Sequence, residues 1–129
     1  MKRINRYHEN DFISSESDVV LDSDEVTVST KNDIVIGLEP EQVVNFENLK
    51  GFIVEISRNI PDFDNQVQRY FYNIDKEPDF PHNLSVIYIE DNSAILDYWS
   101  EEVNNQFTMI FQYNNGIWKL IDANGRKPD

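Results

Sequence analysis

The stretch that most constrains the fold is FTMIFQYNNGIWKLID, at residues 107–122. Its Asn-Gly pair (115–116) predicts a type I′ hairpin turn, because both central positions of that turn need a positive φ angle. Such a turn places Tyr113 opposite Trp118 and brings the apolar positions of both strands to one face. This predicts a hairpin that mainly builds the core. The side chains on that face are Phe107, Met109, Phe111, Tyr113, Trp118 and Leu120.

The whole C-terminal third has the same strand character. The runs LSVIYIE (84–90), AILDYWS (94–100), QFTMIFQY (106–113) and IWKLID (117–122) are separated only by short polar segments. Short connections join antiparallel neighbours, whereas parallel strands need a long crossover. These runs therefore predict a four-stranded antiparallel meander.

The period of the apolar residues changes after Pro40. Apolar residues recur at spacings of three and four from Val43 to Ile60, which predicts a helix with one apolar stripe. Gly51 is a poor helix former in the interior of this stretch, so the pattern is also compatible with two shorter helices. Pro61 ends this helix and opens a second one, which continues to about Ile74. The segment KEPDFPHN (76–83) contains two prolines and predicts a loop.

The N-terminal part predicts short β segments after a polar lead-in. Residues 1–16 are expected to be weakly ordered or packed at an edge, and residues 123–129 form a tail. Strand patterns follow at 19–21, 26–29 and 33–38. Together these elements predict a single α+β domain over residues 1–129. Its predicted architecture is a set of N-terminal short β segments, two helices, and then a four-stranded antiparallel β-meander packed on the helices.

The charge of the chain is strongly negative. It has 24 acidic and 11 basic residues, a formal net charge of −13. Five of the basic residues lie near the termini, so the body between Tyr7 and Gly125 is more acidic still. Such a field repels nucleic acid and anionic membrane surfaces, and it attracts a basic protein partner. The alternative, left open here, is that the charge only keeps the protein dissolved.

Cysteine is absent, which excludes disulfides, thiolate metal sites and a cysteine nucleophile. It also fits a reducing compartment. The N-terminal stretch MKRINRYHENDF has no apolar core of a signal peptide, and no apolar run is long enough for a membrane span. The expectation is a cytoplasmic protein.

No motif for catalysis, metal binding or cofactor binding is found, so no catalytic residue, metal site or cofactor is predicted. His8 and His82 have no partners at metal-ligand spacing, and both are expected to be solvated. The Asp62-Phe63-Asp64 stretch lacks the further ligands and central glycine of a calcium loop, and helix capping explains it better. A phosphate-binding glycine loop is likewise absent.

The first candidate binding residues come from an acidic stretch at 97–102 that carries aromatic side chains. A Trp beside carboxylates has the composition of a binding hot spot, where a rigid aromatic anchors and charges orient the partner. The alternative is that Trp99 packs over Ile110 and Ile121 as a minor cluster. For the acidic residues at 22–25 and 90–91, the alternative is that they are ordinary exposed residues that contact no partner. The predicted partner-binding residues are Asp97, Trp99, Glu101 and Glu102, with Glu90, Asp91, Asp22, Asp24 and Glu25 as further contact points.

The chain resembles bacterial immunity proteins of polymorphic-toxin and contact-dependent growth inhibition systems. The resemblance lies in its small, cysteine-free, acidic, Asn-rich character and in the stretches DYWSEEVNNQF and YNNGIWKLID. It implies one dedicated partner, a cognate toxin domain, with a basic nuclease as the best match to the charge. No site residue is carried over from it.

The closing hairpin around NNGIWKLI is also similar to that of nuclear-transport-factor-like folds. That resemblance implies a small-ligand-binding or enzymatic domain with a curved sheet. Two departures count against it, since about forty residues of β and turn character come first and no His lies on a predicted strand. An adaptor in a larger complex is a third reading of the same acidic surface.

Overall fold

The computed structural model describes Tyr7 and residues 9–76, 82–100 and 105–128. Its strands form one seven-stranded sheet in which the spatial order follows the chain order. All neighbours are antiparallel except β3 and β4, which are parallel. The strands are β1 (Leu21–Asp22), β2 (Glu25–Ser29), β3 (Ile34–Gly37), β4 (Asn83–Glu90), β5 (Ser93–Ser100), β6 (Asn105–Asn114) and β7 (Ile117–Ala123).

Three α-helices lie between β3 and β4 in the described chain: α1 (Pro40–Val44), α2 (Phe46–Arg58) and α3 (Ile60–Asp75). They form the long connection that a parallel pair of strands requires. None of the described helices is long and apolar enough to span a membrane.

The predicted architecture is wrong in two respects, although its α+β class agrees with the structure. The predicted four-stranded meander corresponds to β4–β7, but these strands are only part of a seven-stranded mixed sheet. The N-terminal β segments join that sheet because Val35 pairs with Val86 in parallel register. The apolar stripe from Val43 to Ile60 is also divided, so that the described residues form three α-helices where two helices were predicted.

The break between α1 and α2 lies at Asn45, whereas Gly51 stays inside α2. Asn45 leaves helical geometry at φ −96° and ψ 20°, while its N–H still donates to carbonyls of the last turn of α1. Asparagine is a weaker helix former than alanine and is common at helix ends, although the Asn45 side chain makes no capping hydrogen bond to the backbone of α2. The side-chain oxygen of Asn45 accepts a hydrogen bond from the side-chain amide of Asn48 at 2.6 Å.

The C-terminal hairpin has the predicted register. Asn115 and Gly116 have φ angles of 53° and 81°, as a type I′ turn requires. Tyr113 pairs with Trp118, and Phe111 pairs with Leu120. Beyond this point a bulge leaves one extra residue on β7.

The hydrophobic core fills the space between the sheet and the helices. Phe63 of α3 contacts the hairpin directly, with ring centroids 4.6 Å from Phe111 and 5.1 Å from Trp118. Tyr98 and Phe107 stack in parallel on neighbouring strands at 5.4 Å. Phe12 of the lead-in is also buried against this core. We call the face of the sheet that bears these side chains the inner face.

The last strand, β7, is a sheet edge that α3 covers with one side chain. The amide of Gln66 donates to the Trp118 carbonyl at 3.0 Å and accepts from the Leu120 N–H at 3.2 Å. One primary amide thereby satisfies the donor and acceptor that a neighbouring strand would otherwise fill. Unpaired edge groups of this kind are templates for aggregation, so Gln66 closes part of this edge.

Candidate binding surface

Among the described residues, the face of the sheet opposite the helices carries partly exposed side chains, and we call it the open face. Strand alternation places there the residues that the inner face does not use. One cross-strand row runs from Glu25 through Gly37, Tyr88 and Ile95 to Ile110. Ile95 and Ile110 are half-buried, while Tyr88 keeps 41% of its surface exposed. The row therefore presents an apolar strip that begins at a carboxylate.

The ring of Tyr88 lies over Gly37 of the neighbouring strand. A Cβ atom built on Gly37 would lie 2.8 Å from Cε1 of Tyr88, closer than real Cβ contacts allow. The missing side chain at Gly37 is therefore what leaves space for the phenol ring. An exposed aromatic ring seated against the backbone loses little conformational freedom when a partner covers it.

Seven exposed carboxylate residues meet at the end of the sheet next to Tyr88. The turn between β1 and β2, the start of α1 and the turn between β4 and β5 converge there. Two hydrogen bonds hold these segments together, from Leu38 N–H to the Asp24 carbonyl and from the Gln42 side chain to the Ile89 carbonyl, both 2.8 Å. We call this region the acidic end, and its carboxylates are Asp22, Asp24, Glu25, Glu39, Glu41, Glu90 and Asp91.

The acidic end contains no compensating cation on the segments that form it. Residues 21–26, 37–42 and 89–92 include neither Lys nor Arg. Like charges that are held together repel one another and concentrate a negative potential over the surface. This arrangement costs some stability, and it attracts a positively charged partner.

The structure brings some of the predicted binding residues together and separates others. Asp22, Asp24, Glu25, Glu90 and Asp91 all belong to the acidic end. The remaining two described residues, Asp97 and Trp99, lie on the open face toward the opposite end of β5. Glu101 and Glu102 fall outside the described residues.

Asp97 and Trp99 differ in how available they are. The Asp97 carboxylate is half-buried and accepts a hydrogen bond from the Thr108 hydroxyl at 3.0 Å. Trp99 is 37% exposed, and it lies opposite Gln106 rather than next to Ile110. Because Ile110 lies opposite Ile95, about 13 Å along β5 from Trp99, the register does not support the alternative cluster of Trp99 over Ile110.

Sequence reasoning missed three residues of this surface: Tyr88, Glu39 and Glu41. Tyr88 lies within the continuous apolar run VIYI (86–89), which gives no signal for which face each residue takes. Glu39 and Glu41 flank the proline that begins α1, and only the packing of α1 beside the β4–β5 turn adds them to the acidic end.

His82 is buried, so the prediction that it is solvated is wrong. Its imidazole contacts the Asp64 carboxylate at 2.5 Å, and the two side chains are 0% and 2% exposed. Asp64, predicted to help cap α3, instead points inward and ties this helix to the residue before β4. A buried pair is retained where each group satisfies the other, because an unpaired charge in the interior is costly.

A small pocket of about 270 Å³ adjoins His82 and is otherwise lined mainly by the β2–β3 turn, Lys31, Asn32 and Asp33. The His82 side chain is fully enclosed, so only its main chain reaches this pocket. The imidazole therefore cannot contact a bound molecule in this conformation.

Among the described residues, no group of three or more His, Cys, Asp or Glu side chains could hold a metal ion. Comparison of the chain with protein-family models, with curated proteins and with solved structures finds no match. Function must therefore be inferred from the chain's own geometry and charge.

Proposed function

We propose that the chain is an acidic immunity protein that acts in the cytoplasm, where it binds and neutralises a basic toxin domain. The observation that carries this proposal is the acidic end lying directly beside the exposed ring of Tyr88. The surface thus combines a negative potential that steers a basic partner with an aromatic side chain of the kind that protein-binding hot spots favour.

The two parts of this surface have different physical roles. Carboxylates that project from the acidic end accelerate association with a basic partner and occupy positions where a nuclease would hold phosphate groups. Tyr88 adds buried apolar contact once the complex forms, and it thereby slows dissociation. Asp97, Trp99, Glu101 and Glu102 are proposed as secondary contacts, since Trp99 is about 20 Å along β5 from the acidic end.

The alternative function, a small-ligand-binding or enzymatic domain, has weaker support from the described residues. The pocket beside His82 is small, and the imidazole is closed off from it. The acidic end, in contrast, is fully accessible and needs no rearrangement to meet a partner.

Co-expression with a toxin domain tests the proposal. The toxin candidate is the C-terminal domain encoded by the adjacent reading frame, and the readout is growth of the host cell. The proposal expects that growth is restored when this chain is present. Equal toxicity with and without it would end the proposal.

Two sets of variants then test the surface. Glu25→Gln with Glu90→Gln removes two charges from the acidic end, whereas the matched control Glu16→Gln with Asp33→Asn removes two exposed charges elsewhere. The first pair should slow association with the toxin domain and reduce its salt dependence, because steering depends on local potential. Equal slowing by both pairs would mean that only net charge matters.

Tyr88→Ala tests the anchor separately. Truncation of a hot-spot aromatic costs about 2 kcal/mol or more of binding free energy, which is a roughly 30-fold faster dissociation at unchanged association. Stopped-flow or surface-binding kinetics measure the association rate and the dissociation rate separately. An unchanged dissociation rate would remove Tyr88 from the interface.

A further inference from the structure

A groove on the side of the molecule formed by α3 and β7 carries the opposite charge from the acidic end. Its volume is about 500 Å³. Arg69 of α3, Lys119 of β7, and Arg126 and Lys127 of the C-terminal segment all line it. We call this region the basic groove. Four cations at one place are unexpected in a chain with 24 acidic and only 11 basic residues.

Two sets of contacts bring the four cations together. Gln66 fixes α3 against β7, as described above, and so places Arg69 near Lys119. The chain then turns back after β7, where Asn124 and Gly125 have φ angles of 54° and 92°. Paired hydrogen bonds between Ala123 and Arg126 close this turn. The C-terminal segment and α3 therefore line the same groove.

Ion pairing distinguishes the cations of the basic groove from Lys31 and Lys50. None of the four forms an ion pair with an acidic side chain among the residues that the structure describes, and all four are exposed. Lys31 and Lys50, in contrast, each lie within 3.8 Å of a carboxylate. The positive charge of the groove is therefore available to a ligand.

The rest of the lining is largely apolar. Tyr70, Ile74 and Leu120 contribute to it, and Ile74 is 48% exposed although it lies on α3. A large exposed aliphatic side chain beside exposed cations suits a ligand that carries both apolar groups and negative charge. Neither a simple salt ion nor a purely apolar partner uses both features.

We propose that the basic groove binds an acidic, apolar-containing segment of a protein partner. The groove is not an enclosed cavity, whereas small-molecule sites usually enclose most of their ligand. The edge groups at Trp118 and Leu120 are already occupied by Gln66, so the segment is held by its side chains rather than as an added strand. Nucleic acid is disfavoured because the overall charge of −13 repels a long polyanion.

This inference is independent of the proposed toxin interface, because it concerns a different surface with the opposite charge. Its test uses the full chain and a fluorescein-labelled twelve-residue peptide of alternating Glu and Leu, with fluorescence anisotropy as the readout. The matched peptide of alternating Gln and Leu supplies the same apolar groups without charge. The Glu peptide should bind, and its affinity should fall as salt is raised, because exposed charges are screened over about 10 Å at 0.1 M salt.

Two pairs of substitutions test whether the Glu peptide binds in the basic groove. Arg69→Gln with Arg126→Gln should weaken binding of the Glu peptide about tenfold, since two exposed charge contacts are lost. The control, Lys31→Gln with Arg58→Gln, removes the same charge outside the groove and should leave the affinity within about twofold. Both variants change exposed side chains, and thermal unfolding confirms that they remain folded.

Four results would overturn the proposal. The first is equal binding of the Glu and Gln peptides, and the second is equal weakening by both variant pairs. The third is full displacement of the Glu peptide by inorganic phosphate at the same concentration, which would indicate a small-anion site. The fourth is tighter binding of a twelve-base-pair DNA duplex, which would indicate a nucleic-acid surface.

Discussion

The inner and open faces of the sheet divide stability from recognition. The inner face is almost entirely apolar and packs its aromatic rings against α3, as Phe111 does against Phe63. The open face carries Tyr88 with carboxylates at its border, and no described residue neutralises them. Because alternate residues of the same strands serve the two faces, neighbouring substitutions should have separable effects.

The largest expected effect is a truncation on the inner face. Phe111→Ala should lower the free energy of unfolding by about 3–5 kcal/mol, because a fully buried ring leaves a cavity. Its neighbour Ile110 is half-buried on the open face, so Ile110→Ala should cost only about 1–2 kcal/mol. Urea unfolding measures both values. Similar losses would show that the open face also forms core.

The second-largest expected effect concerns the buried contact between Asp64 and His82. Asp64→Asn should lower the free energy of unfolding by about 3 kcal/mol, because His82 then loses the carboxylate that faces it in the interior. A double-mutant cycle with His82→Gln isolates their interaction from other effects of each substitution. A coupling free energy near zero would mean that the two groups contribute independently.

The covered edge of β7 gives an intermediate effect. Gln66→Ala should cost about 1–2 kcal/mol of unfolding free energy, because the Trp118 carbonyl and Leu120 N–H both lose their partner. The exposed edge should also promote self-association at high protein concentration, which light scattering detects. The control Asn65→Ala changes the adjacent exposed residue of α3 and should alter neither property.

The smallest effect concerns the acidic end and has the opposite sign. Glu25→Gln with Glu90→Gln should raise the thermal midpoint slightly, because repulsion among exposed carboxylates is relieved. The gain should disappear in about 1 M salt, where charges are screened within roughly 3 Å. A loss of stability at low salt would instead mean that these carboxylates make stabilising contacts in the folded chain.

Local signals predicted the elements whose partners are near in sequence. The Asn115-Gly116 turn and the alternating residues around it fixed both the register and the inner face of the last hairpin, since turn type determines which residues pair. The parallel pairing of Val35 with Val86 has no comparable local signal. Its two strands are separated by three helices, so the seven-stranded sheet could not be read from the periodicity of either strand.

The candidate surface shows the same division. Carboxylate-rich turns were recognised as possible contacts, but their assembly at one end depends on the β3–β4 pairing and on α1 packing beside β4. His82 was expected in solvent because it follows a proline in a polar loop. Its burial became favourable only because Asp64, on another element, lies in contact with its ring.

The sequence by itself determined the α+β character, the helical and strand periods, the type I′ turn and the strong negative charge. Each of these properties follows from backbone and side-chain preferences over a few residues, or from composition. Tertiary structure alone decided which charges meet, where Tyr88 is seated, and that four exposed cations line one groove in an acidic protein. Those features require contacts between segments far apart in the chain, and such contacts form only when burial of the shared core outweighs the entropy of closing long loops.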